Sequence, residues 1–177
     1  MRAHHLPLSL SLLLPAAALA APVQSVESFD MDRYAGQWHE IAHLPTPFQK
    51  KCVADIIATY GLRADGRISV RNRCRKADGE MIEAEGTARV AAGHPGRLQV
   101  RFAADWLAWL PWAWADYWVI ALDPDYQWAV IGEPDHKYLW FLSRTPSMET
   151  ALFESLKLRA TEMGYELAPL RVTAPIE

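Results

Sequence analysis

Residues 52–74 read CVADIIATYGLRADGRISVRNRC, two extended runs joined by one tight turn. In the second run Ile68 and Val70 alternate with Arg67, Ser69 and Arg71. A period of two sends apolar residues to one face and polar ones to the other, as a strand with one wet side requires. Asp65-Gly66, between the runs, supplies the positive φ that a short hairpin turn demands. Val53 to Leu62 and Arg67 to Cys74 are therefore predicted to pair as antiparallel neighbours.

The same punctuation recurs on both sides. Gly36 to Leu44 is an earlier extended run, closed by Pro45 and Pro47. Met81 to Ala91 follows the turn Ala77-Asp78-Gly79, and Leu98 to Phe102 follows Gly93-His94-Pro95-Gly96. Tyr117 to Leu122 and Trp128 to Ile131 flank Asp123-Pro124-Asp125, and Gly132-Glu133-Pro134-Asp135 leads into Tyr138 to Leu142. Eight strands at near-even spacing predict an all-β domain, an antiparallel barrel or sandwich. One amphipathic helix follows, with Thr145 as N-cap, Pro146 at its first position and Gly164 at its end. Its apolar stripe is Met148, Leu152, Leu156, Ala160 and Met163. Tyr117 to Leu122 is apolar on both faces, so this helix is expected to cover the outer side of the last strands.

The chain has 177 residues, 51% of them hydrophobic, enough for one domain with a substantial core. Its 18 basic and 21 acidic side chains give a net charge of −3, which argues against a nucleic-acid binder, since no basic excess exists to neutralise phosphates. Residues 1–20 read as a signal peptide: the apolar run Leu6 to Leu14 is too short to span a bilayer, and Ala18-Leu19-Ala20 offers a small-x-small cleavage site. The mature domain is then 21–177. No Cys follows the apolar run, so a lipid-anchored form is not expected and the destination is periplasmic or secreted. In such a compartment Cys52 and Cys74 are expected to be bridged.

If eight strands close into a barrel, the interior holds side chains or one small ligand. Strand parity places Ile56, Ala58, Tyr60, Ile68, Val70, Ala84, Leu98, Val100, Phe102, Tyr117, Val119 and Trp140 on the inner face. That set suits an oily ligand better than catalysis, and it calls for no metal or other cofactor. His39-Glu40-Ile41-Ala42-His43 spells HExxH, but zinc-protease chemistry needs that string on a helix. Gly36 before it and Pro45 and Pro47 after it leave no room for one. No Gly-x-Ser-x-Gly elbow occurs either.

Eight Trp is a high count, and Trp106, Trp109, Trp112, Trp114 and Trp118 fall in thirteen residues. The first four belong to the connection before Tyr117. Three readings stand: rings folded inward as a plug or strand extension, a lip touching a membrane transiently, or a contact with a partner or a second copy of the chain.

Three segments resemble the lipocalin family, and its bacterial outer-membrane and apolipoprotein D-like group in particular. Tyr34-Ala35-Gly36-Gln37-Trp38-His39-Glu40-Ile41-Ala42 resembles the first lipocalin motif, built on Gly-x-Trp. Asp116-Tyr117-Trp118-Val119-Ile120-Ala121-Leu122-Asp123 resembles the second, and Tyr138-Leu139-Trp140-Phe141-Leu142-Ser143-Arg144-Thr145-Pro146 the third. The resemblance implies an eight-stranded antiparallel up-and-down barrel with a C-terminal α-helix packed outside. It implies that Trp38 and Arg144 stack at the closed base, and that the Cys52–Cys74 bridge and the Trp-rich connection lie at the open mouth. The function it implies is non-covalent binding of a fatty acid or lysophospholipid, for storage or transport and in envelope maintenance. Rival readings are an enzyme on the same barrel acting on a lipid-like substrate, and a carrier of a tetrapyrrole or other pigment.

Overall fold

A computed structural model of the chain describes residues 22–104, 110 and 113–177. The signal-peptide reading and the side chains of Trp106, Trp109 and Trp112 lie outside the described residues. A short helix α1 (Met31–Tyr34) opens the domain, started by Asp30, whose carboxylate accepts from the backbone N–H groups of Asp32 and Arg33. Eight strands follow: β1 (Gly36–His43), β2 (Ala54–Leu62), β3 (Ile68–Arg75), β4 (Met81–Val90), β5 (Arg97–Arg101), β6 (Ala115–Leu122), β7 (Trp128–Gly132) and β8 (Trp140–Ser143). Helix α2 (Thr150–Glu162) and a two-residue strand β9 (Arg171–Val172) complete it.

Each strand pairs antiparallel with the next, β8 returns to β1, and β1 pairs β2, so the sheet closes into a barrel. The extra strand β9 lies outside that cycle, on the upper end of β1. Gly66 carries the β2–β3 turn at φ +77°. That turn sets the register Tyr60↔Val70 and Leu62↔Ile68, which sends Tyr60, Ile68 and Val70 inward. One irregularity interrupts this hairpin. The pairing shifts between Ala54 and Ile57, where Asp55 takes φ +51° and its carboxylate meets Arg75 at 2.7 Å.

The core has two compartments. Inside the barrel, towards the β2–β3, β4–β5 and β6–β7 turns, Tyr34, Trp38, Ile68, Leu98, Val119 and Ile131 pack together and close that end. Outside the barrel, Phe153, Leu156 and Ala160 of α2 pack with Ile41, Ile120, Val130 and Phe141. Burying Phe153 and Leu156 stabilises the fold by roughly 1.5–3 kcal/mol each. The two-sided apolarity of β6 thus has one face in each compartment.

The helix start differs from the expectation. Thr145 does not cap α2, and Pro146 is not in it: the helix begins at Thr150, after Glu149. The C-terminal tail claims the backbone in between, since Met148 N–H donates to Pro175 O and Met148 O accepts from Glu177 N–H. Thr145 Oγ1 instead donates to Ser147 O at 2.8 Å. Met148, expected in the helical stripe, is buried just before the helix. Phe153, absent from that stripe, takes the central place.

Candidate functional site: the barrel cavity

The half of the barrel above the closed core is hollow. Its cavity measures about 470 Å³ and opens towards the β1–β2, β3–β4, β5–β6 and β7–β8 connections. Nine of the inner-face residues read from parity border it: Ile56, Ala58, Tyr60, Val70, Ala84, Val100, Phe102, Tyr117 and Trp140. Ile68, Leu98 and Val119 do not. They point inward but sit below the cavity, fully packed in the closed end. Alternation specifies a face, and only the depth of each residue along its strand decides whether that face meets space or protein.

Several lining residues had no place in the parity list. Asn72 shares the parity of Ile68 and Val70, and its Oδ1 is buried without a hydrogen-bond partner. Extending the alternation by one step finds it. Ile57 borders the cavity together with Ile56 because the shift at Asp55 breaks the alternation there. Phe48 and Gln49 come from the Pro-flanked β1–β2 connection, which carries no periodic signal. Phe48 packs its ring beside Tyr138 and Trp140, at 5.7 and 6.3 Å between centroids.

Gln49 links that connection to the wall. Its Nε2 donates to Glu40 Oε2 at 2.6 Å, and its Oε1 accepts from Trp140 Nε1 at 2.9 Å. Glu40 Oε1 in turn contacts His43 Nδ1 at 2.5 Å and accepts from Thr173 Oγ1 at 3.3 Å. The HExxH string therefore lies along β1, with Glu40 and His43 satisfying each other. His39 is half-buried, and burial, followed by the charge of Arg73, lowers its pKa from the ordinary imidazole value.

At the floor of the cavity three phenols meet. Tyr117 Oη lies 2.7 Å from Tyr34 Oη and 2.8 Å from Tyr60 Oη. Burial raises the pKa of all three above the ordinary phenol value, against the lowering effect of the hydrogen bonds on Tyr34 and Tyr60. Among the described residues the charged groups on the lining are Glu40, which is buried, and Glu83, Asp116 and Arg73, which are exposed.

At the mouth, Cys52 and Cys74 are bridged, with Cα atoms 5.5 Å apart, and both border the cavity. The bridge ties the β1–β2 connection to the end of β3. Trp114 lies on the outer side of β4 and β5, with the guanidinium of Arg89 at 4.0 Å from its ring centre and that of Arg101 at 5.1 Å. Arg101 shares the outward register of Arg97 and Gln99, yet it is only 2% exposed and donates to Ala103 O and Ala104 O.

At the opposite end Arg144 spans the barrel base. Its guanidinium lies 3.9 Å from the centre of the Trp38 ring and donates to the carbonyls of Arg33, Tyr34, Ala35, Gln37 and Tyr126. Gly36 permits this approach: at φ +97°, a Cβ there would sit 3.3 Å from Arg144 Nη1.

A closed eight-stranded barrel, one outer helix and this Trp–Arg base coincide with a match to the lipocalin-like domain over residues 29–175. The chain is a lipocalin. Temperature-induced lipocalin-1 of Arabidopsis thaliana is 40% identical over 154 residues, covering 85% of this chain and 82% of the relative. Outer membrane lipoprotein Blc of Escherichia coli K12 is 36% identical, with 82% and 79% covered. Apolipoprotein D of Macaca fascicularis is 33% identical, with 86% and 79% covered. Among solved structures, insecticyanin from the tobacco hornworm Manduca sexta superposes with a TM-score of 0.65 at 21% identity, covering 90% of this chain and 92% of that one. At that identity the likeness concerns the fold. Lipocalins bind small hydrophobic ligands, and the cavity is where this lipocalin has room for one.

Proposed function

We propose that this lipocalin is an exported binding protein that holds a fatty acid or lysophospholipid in its barrel for storage or transport in envelope maintenance. The observation that carries the reading is the open cavity of about 470 Å³ with its predominantly apolar wall. An acyl chain placed there leaves water at a gain of roughly 25 cal/mol per Å² of apolar surface. The buried charge on the described lining is the acid Glu40, which disfavours an anionic group at depth, so the chain enters tail first and the head group stays at the mouth. There Lys50 and Lys51 are exposed on the β1–β2 connection beside exposed Phe48 and Val53. The same apolar and basic rim, with the Trp-rich connection, suits transient contact with an anionic membrane from which a lipid is taken.

Mass spectrometry of the molecules extracted from native protein tests this reading. Single-chain lipid in stoichiometric amount is the expected result. A tetrapyrrole, or an empty barrel that also fails to take up palmitic acid or lysophosphatidylethanolamine in titration, overturns it.

A further inference from the structure

Three phenols at the cavity floor bring three hydroxyl protons to two contacts, Tyr34–Tyr117 and Tyr117–Tyr60. One proton is therefore left without a protein acceptor. Tyr34 does not border the cavity and is fully buried, so leaving the spare proton on it would strand a donor in dry core. Tyr60 and Tyr117 do border the cavity. The low-cost arrangements run from Tyr34 through Tyr117 to Tyr60, or from both outer phenols onto Tyr117. Each leaves the spare O–H on a residue that borders the cavity.

The geometry points to a specificity site at this floor: we propose that the barrel prefers an acyl chain carrying a neutral oxygen, as hydroxyl or ketone, near its buried end. A neutral oxygen fits where a charged one does not. The donor is a protonated phenol, and a buried carboxylate would need a cation that the floor lacks, with Glu40 among the lining acids and Arg144 below the Trp38 ring. A plain hydrocarbon end fills the same space but leaves the donor unpaired. The inference rests on the lipid-binding reading above and narrows it to oxygenated chains.

Palmitic acid and a series of oxopalmitic acids, with one ketone moved along the chain, test it by titration. Affinity should peak at one ketone position, about five- to tenfold above palmitic acid, the worth of one net hydrogen bond. The bound ketone should show a lowered carbonyl stretching frequency at that position. The Tyr60→Phe, Tyr117→Phe double variant should flatten the series, the ratio of each ketone's affinity to that of palmitic acid falling towards one, because it removes both hydroxyls that can carry the spare proton at the cavity. A flat series and an unshifted carbonyl in the wild-type protein, with palmitic acid bound, overturn this inference and leave the lipid-binding reading standing. Failure to bind any member overturns both.

Discussion

The Arg144 guanidinium lies 3.9 Å from the centre of the Trp38 ring and satisfies five backbone carbonyls from α1, β1 and the β6–β7 turn. One side chain thus joins the N-terminal helix to the barrel base. Arg144→Ala removes the ring contact and leaves those carbonyls to water, a loss of about 2–4 kcal/mol of stability. Arg144→Lys should recover little, because an ammonium cannot present a planar fork to several acceptors. Ligand affinity per folded molecule should hold, since the base is separated from the cavity by the closed core. Chemical denaturation and ligand titration measure the two effects separately, and wild-type stability in Arg144→Ala would contradict this role.

Tyr34, Tyr60, Tyr117 and Tyr165 are four of the six tyrosines, and burial raises all four pKa values, Tyr165 to about 12. In the unfolded chain they release protons near ~10. Above that pH the unfolded state binds fewer protons than the folded state, so stability is full below it and falls as pH rises towards the folded values. The phenolate absorbance of these groups should therefore appear only above the ordinary phenol range. Its late part should coincide with loss of near-ultraviolet circular dichroism. Full titration of all six phenols near ~10 with the fold intact would exclude the buried cluster.

How much of this could be read in the sequence depends on how local the cause is. The β2–β3 hairpin was legible because alternation and Asp65-Gly66 are local, and they fix register without help. Asp55 escaped because a bulge leaves no mark in a period-two pattern except its failure. Thr145-Pro146 carried a helix-start signal that lost to a distant competitor, the C-terminal strap on Met148. Arg101 holds a polar position on an alternating strand, and its burial against Ala103, Ala104 and Trp114 is nothing that alternation registers. Ile68, Leu98 and Val119 were assigned the right face but not the right depth, which depends on α1 inserting Tyr34 beneath them. The Trp38–Arg144 contact spans 106 positions, and no pattern in the residues links them; only the family resemblance did.

The Cys52–Cys74 bridge closes a loop across 22 positions and anchors the β1–β2 connection at the mouth. Constraining the unfolded chain over a loop of that size is worth about 3 kcal/mol. The Cys52→Ala, Cys74→Ala double variant should lose that stability. It should also exchange ligand faster, because the connection carrying Phe48 and Gln49 loses its tether to β3. Denaturant melts of the oxidised and double-variant proteins check the first effect, and stopped-flow displacement of bound palmitic acid checks the second. Equal midpoints would show that the bridge contributes nothing to the fold.

Gln49 is the other fastening of that connection. It joins Glu40, held by His43 and Thr173, to the Trp140 indole, while its own backbone N–H donates to Thr46 Oγ1 at 3.1 Å. Because Trp140 lines the cavity and Phe48 packs against it, the latch sets the shape of the mouth. Gln49→Ala frees the indole N–H and one carboxylate oxygen to water, so the fold should lose only about 1–2 kcal/mol. Ligand release should speed up several-fold with a smaller change in affinity, as entry and exit share the same opening. Gln49→Glu should act more strongly, since it sets two carboxylates face to face where an amide had bridged acid and indole. Trp emission and palmitic acid dissociation rates report both variants. Unchanged release rates in Gln49→Glu would mean that the mouth opens elsewhere.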